Sequence, residues 1–257
     1  MTGGARAALA FVALCAAMAR SVWAQDTIPR LRHILPIDYA RVQPFQRAYD
    51  INVLSGDSTI TIGQRAVALR QVVLTDSSAG WLLTETRGGI VPAFDSLFLA
   101  GDLRPVRWTS SLGASRLEVE FGADSLSAVI RGPAGASAAK LEAPPDLLLS
   151  GAMLELVVGL LPLSAGWTDS VYVLSADASG ADVSAVEIVV IGDEPTVPDP
   201  SGTARWIVAL HAESRELRLW VDKTSGVTER TQQVLPTHTG TMLELRVRER
   251  AEVMPPR

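Results

Sequence analysis

The strongest constraint on the fold is a period of two. Leu117, Val119 and Phe121 fall on one side of an extended chain while Glu118 and Glu120 fall on the other. Leu217, Leu219 and Val221 repeat the pattern against Arg218 and Asp222, and Leu243, Leu245 and Val247 repeat it against Glu244, Arg246 and Arg248. A strand with one wet and one apolar face belongs to an antiparallel sheet, and the apolar face must be covered. Short alternating stretches of this kind, separated by turn residues, occupy 58–63, 65–75, 80–87, 103–110, 115–121 and 125–131. A second set follows at 169–175, 183–192, 203–212, 215–222, 226–235 and 240–249. No fixed period relates the segments, which argues against a propeller or solenoid.

The obvious cover for the sheet lies mid-chain. Pro144-Pro145-Asp146 precede an apolar run from Leu147 to Leu161, and Pro162 ends it. Asp146 is a helix-capping residue, the prolines set the start, and Pro162 lacks the amide needed to continue. The sequence therefore predicts one helix over 146–161, apolar on most of its circumference. Gly151, Glu155 and Gly159 form a narrow stripe at i, i+4 spacing. The expected fold is mainly β, with about 11–12 strands in a strongly curved antiparallel sheet or open barrel. The helix is expected on the concave side. Gly132 to Glu142 and Glu194 to Gly202 read as loops, and three prolines (Pro29, Pro36 and Pro44) make 25–54 read as an extended arm.

The first 24 residues carry Arg6, an apolar run from Ala7 to Ala19, and Val22-Trp23-Ala24, which places small residues where a signal peptidase reads. That run is too short to cross a bilayer, which takes about 20 apolar residues. Residues 1–24 are thus expected to be a cleaved signal peptide, 55–250 a single β domain, and 251–257 a disordered tail. The expected location is the periplasm or extracellular space, with no integral span after cleavage. Leu14, a bulky residue ahead of Cys15, argues against lipidation of that cysteine, the only one in the chain. The chain then has no disulfide and no thiolate metal site.

A net charge of −5, with Lys140 and Lys223 as the only lysines, excludes the basic surface that nucleic acid requires. His33, His211 and His238 have no metal-ligand spacing. Ser137-Ala138-Ala139-Lys140 matches an S-x-x-K element, and Lys223-Thr224-Ser225-Gly226 approaches K-T-G. The serine lacks the helix start that this chemistry needs, and the second element reads as a hairpin turn. Gly135-Ala136-Ser137-Ala138 misses the closing glycine of a nucleophile elbow at Ala139. Asp95, Asp102 and Asp124 sit near turns, as aspartates ordinarily do. No catalytic residue, metal or cofactor is predicted. Trp81, Trp108, Trp167, Trp206 and Trp220 form the more suggestive group, with Trp220 on the face opposite Leu219.

The segment from Leu217 to Arg230 (Leu-Arg-Leu-Trp-Val-Asp-Lys-Thr-Ser-Gly-Val-Thr-Glu-Arg) resembles a hairpin of secreted bacterial β proteins. It is similar to the strand-turn-strand of the lipoprotein-carrier fold group (LolA and LolB) and of a related family of uncharacterised envelope proteins. The resemblance implies a curved sheet whose concave side holds helix and an acyl chain. One predicted helix, where the carriers have several, departs from that pattern. The resulting expectation is a non-enzymatic envelope protein that binds a hydrophobic ligand or an envelope component, with a lipid or another envelope protein as partner. Leu154, Val158, Trp81, Trp108 and Trp220 are the candidate ligand-contacting residues. The alternatives are a structural or protein-interaction domain with the cup filled by its own helix, and an envelope hydrolase.

Overall fold

The computed structural model describes residues 35–247, apart from 90–91, 134, 145–146, 178–179, 196–203, 213–214 and 235–241. The predicted signal peptide, Cys15, His33, His238, the predicted cap Asp146 and the predicted tail lie outside the described residues.

Among the described residues fifteen strands form one sheet. The first eight are β1 (Phe45–Ser55), β2 (Ser58–Val73), β3 (Ala79–Gly89), β4 (Ala93–Ala100), β5 (Pro105–Leu112), β6 (Ser115–Phe121), β7 (Ser125–Gly132) and β8 (Gly135–Glu142). The short strand β9 (Leu147–Leu149) and the helix α1 (Ala152–Gly159) follow. The second run comprises β10 (Thr168–Asp177), β11 (Gly180–Pro195), β12 (Ala204–Ala212), β13 (Arg215–Asp222), β14 (Thr228–Val234) and β15 (Met242–Val247). Each run is a meander in which sequence neighbours pair, antiparallel except for the parallel pair β9 and β10. The runs join where β1 pairs antiparallel with β15, from Tyr49 opposite Val247 to Leu54 opposite Met242.

This order leaves β8 and β9 at opposite edges of the sheet, although only residues 143–146 separate them in the chain. Fifteen strands laid flat would put the edges roughly 67 Å apart at 4.8 Å per strand. The link from Glu142 to Leu147 spans at most about 18 Å. The sheet must therefore curl until its edges approach, and it does so without closing.

Four differences from the sequence reading have local causes. The stretches 58–63 and 65–75 are one strand, β2, which absorbs an extra residue opposite the step from Ile51 to Asn52. The supposed arm contains β1, which begins directly after Pro44 and has Tyr49 buried. The supposed loop at 132–142 is β8, paired with β7 from Ser125–Glu142 to Gly132–Gly135 despite a composition poor in β-formers. A strand at Ala93–Ala100, β4, has no clear alternation in the sequence because Phe94 and Phe98 stand beside the buried Leu97 and Leu99.

The helix is shorter than 146–161. Leu147–Leu149 is strand, and the chain turns into α1 at Gly151, whose φ of 78° and ψ of −134° suit glycine alone. The core is continuous from β2 (Val67, Leu69) to β13 (Leu219, Val221) and includes Leu154, Val157 and Val158 of α1. The helix touches β3 in the first run and β9, β13 and β14 in the second.

Candidate functional site

The inward row of β2 carries Arg65, Val67 and Leu69, and that of β3 carries Glu85, Leu83 and Trp81, with Val67 opposite Glu85, Leu69 opposite Leu83 and Arg65 diagonal to Glu85. A charged residue in phase with a buried apolar row needs partners, because an isolated buried charge costs several kcal/mol or more. Arg65, 2% exposed, finds two. Its Nη1 donates to both oxygens of Glu155 on α1, at 2.7 and 2.9 Å, and its Nη2 donates to Glu85 at 3.0 Å.

Glu85 in turn accepts the backbone N–H of Ala152 at 3.2 Å and faces Arg87 Nε at 3.2 Å. Arg87 continues to Asp95 on β4 at 3.2 Å, and Asp95 accepts from the indole N–H of Trp108 at 3.3 Å. The first turn of α1 thus takes its cap from a strand, since the residue at its N-cap is Gly151. Burial favours a neutral Glu85, but Arg65 first and then Arg87 and the Ala152 amide hold its carboxyl below the usual range. Burial likewise opposes charge on Arg65, and Glu155 and Glu85 more than offset it. Tyr49, which lies under Arg65 and donates to the Thr228 carbonyl at 3.1 Å, has its phenol pushed up to about 12 by burial and by Glu155.

The far end of α1 is held differently. Gly159 lies so close to Gly226 that a Cβ on either would overlap the other's carbonyl oxygen. Gly226 belongs to the turn between β13 and β14, where Asp222 Oδ1 accepts from the Thr224 and Ser225 amides at 3.1 and 2.6 Å and from the Ser225 hydroxyl at 2.7 Å. This hairpin turn falls where the sequence placed it.

Leu154, Val158, Trp81 and Trp108 share one core cluster, each at most 9% exposed. Trp220 is outside it, on the opposite face as its parity required. There it is 5% exposed beneath Arg230, 3.5 Å from the guanidinium carbon, and donates to Glu194 at 2.6 Å. Trp81 also lines a shallow cleft of about 490 Å³ with Gln71, Val72, Val73, Ala79, Gly80 and Gly101, beyond the point where β1 stops pairing with β2.

The chemistry motifs are not assembled. Ser137 and Lys140 lie on one strand, three residues apart, and so face opposite sides of the sheet. Asp102 bonds Arg104 within a turn, and Asp95 serves Arg87 and Trp108. His211 lies 41% exposed near Glu216. Among the described residues no three His, Cys, Asp or Glu side chains are grouped to hold a metal, and no helix is long and apolar enough to cross a membrane. What the sequence reading missed is the Arg65, Glu85 and Glu155 cluster. Its signal was the phase of Arg65 with Val67 and Leu69, and of Glu85 with Trp81 and Leu83.

No protein-family model matches the sequence, and no curated protein matches it. The structure is similar to that of a beta-barrel-like protein of domain of unknown function DUF1849 from Brucella abortus. The TM-score is 0.53 at 12% identity, over 81% of this chain and 97% of that one. At that identity the likeness is one of fold.

Proposed function

We propose that this chain is a non-enzymatic cell-envelope domain with a structural or protein-interaction role, its interior filled by its own helix. One observation carries the reading. α1 keeps Leu154 at 5% exposure and Val157 and Val158 at 0%, while touching β3 on one side of the sheet order and β9 at the far edge. An eight-residue helix is about 12 Å long. On a flat sheet those strands would lie roughly 43 Å apart, so the contacts support a helix on the inside of the curl. A helix there takes up space that an acyl chain would occupy in a carrier. The ion cluster also favours a non-enzymatic reading: Glu85 is ionised, with its oxygens engaged by Arg65, Arg87 and an amide, so it has no proton or free lone pair to offer a substrate. Export is supported by the leader pattern of residues 1–24.

A second reading keeps a hydrophobic ligand but moves it to the cleft beside Trp81, where Val73 is 75% exposed. The resemblance of the 217–230 hairpin to lipoprotein carriers favours it, and the filled core opposes an internal cup. Native mass spectrometry of the envelope-purified protein, paired with thermal melting of Leu154→Ala, separates the readings. The helix-filled domain carries no stoichiometric lipid, and Leu154→Ala loses about 2–5 kcal/mol in one cooperative transition. A variant that melts like the wild type while losing co-purified lipid would overturn it.

A further inference from the structure

We propose that Glu85 is an acid-sensitive latch: it joins the start of α1 to the first run of strands, and its protonation frees the first helical turn while the sheet stays folded. The inference rests on the helix-filled reading.

Three geometrical facts carry it. The first turn has no cap of its own, because Gly151 offers no side chain, so the Ala152 amide depends on Glu85. Arg65 is almost fully buried and divides itself between Glu85 and Glu155. A neutral Glu85 would leave it with one carboxylate. Finally, the contact crosses between the runs, since Arg65 and Glu85 sit on β2 and β3 whereas Ala152 and Glu155 follow β9. The charged and titratable groups around Glu85 are Tyr49 on β1, Arg65 on β2, Arg87 on β3, Asp95 on β4 and Glu155 on α1. The two arginines, its direct partners, both favour its ionised form.

The direction with pH follows from the depressed carboxyl of Glu85. Its stabilising contribution is complete above the unfolded-chain value of about 4.3 and is lost as pH falls through the lower folded-state value. The sheet has a separate source of stability, because its ladders and apolar core do not titrate there. Freeing the turn would bring Met153 and Leu154, now 2% and 5% exposed, toward water beside β9. The device would therefore present apolar surface in acid that is hidden at neutral pH.

The test is hydrogen–deuterium exchange of the full chain from about pH 6 to about pH 3, corrected for the intrinsic exchange rate, with Glu85→Gln as imitation of the protonated acid. In the wild type, protection of peptides covering 147–160 is expected to fall by up to about tenfold per pH unit between the unfolded-chain value and the lower folded-state value, and to level off below it. Peptides from β12 and β13 should hold level. In Glu85→Gln the helix should already be less protected at pH 6 and should show little further response. Helix and sheet losing protection together would overturn the latch, as would a helix indifferent to pH. If Glu85→Gln does not fold, the wild-type series decides alone. A helix already unprotected at neutral pH would instead overturn the helix-filled reading, so the two failures are distinguishable.

Discussion

The two ends of α1 are fastened by opposite means. At its start a side chain from β3 supplies the cap and a buried arginine bridges strand and helix. At its end two glycines meet with no side chain between them, and the fit depends on absent atoms. An ionic fastening varies with pH and can be exchanged for a different charge arrangement. A steric one is insensitive to both and fails at the first added methyl. One eight-residue element therefore has a tunable end and a fixed end.

The contrast is broken most severely at the fixed end. Gly159→Ala places a Cβ on the Gly226 carbonyl, with backbone on both sides and nothing flexible to yield. The loss should exceed about 4 kcal/mol, beyond the usual range for single substitutions, and denaturant unfolding should show it at every pH. An acid-dependent loss for this variant would mean that the two ends are not separate.

Alkali gives a smaller and graded effect at the tunable end. The Tyr49 phenol is raised to about 12, so the fold favours its protonated form. That contribution is complete below the unfolded value of about 10 and is lost as pH rises toward 12. Urea midpoints measured across that window should fall for the wild type. In Tyr49→Phe, which also loses the bond to Thr228, the fall should be shallower. The smallest effect belongs to Trp220→Phe on the outer face, which removes the bond to Glu194 at a cost of about 1 kcal/mol. Its helix exchange should match the wild type, and a changed helix would show that the outer face is coupled to α1.

The features legible in the sequence were those set by phase. The alternation at 117–121 and 217–221, the turn at 223–226 and the outward side of Trp220 follow from local parity. The stripe of Gly151, Glu155 and Gly159 was legible too, although its meaning was inverted. It read as the least apolar side of a buried helix, and it is where α1 is fastened, by Glu155 to Arg65 and by Gly159 to Gly226. Partners were not legible. Arg65 and Glu155 lie ninety residues apart, and phase states which way a side chain faces but not what it meets. β8 and β9 were missed because their strand character comes from neighbours: one is small-residue edge strand along β7, the other three leucines along β10. The length of α1 was overestimated because a uniformly apolar run has no period, and only the backbone at Gly151 marks the change from strand to helix.

The pairing of β1 with β15 has a consequence for how the chain is threaded. The sheet reads, edge to edge, β9 through β15 and then β1 through β8. That is the order of a simple meander whose chain has been opened in the middle and joined at its former ends. Among the described strand pairings the one long-range step is Tyr49 opposite Val247, because β1 and β15 are neighbours in the sheet but far apart in the chain. A chain cut at 143–146 and spliced between β15 and β1 would assemble the same sheet with each strand beside its predecessor, the arrangement of low contact order that folds fastest. The order in which the strands follow one another along the chain, and not their arrangement in the sheet, is what makes this pairing non-local.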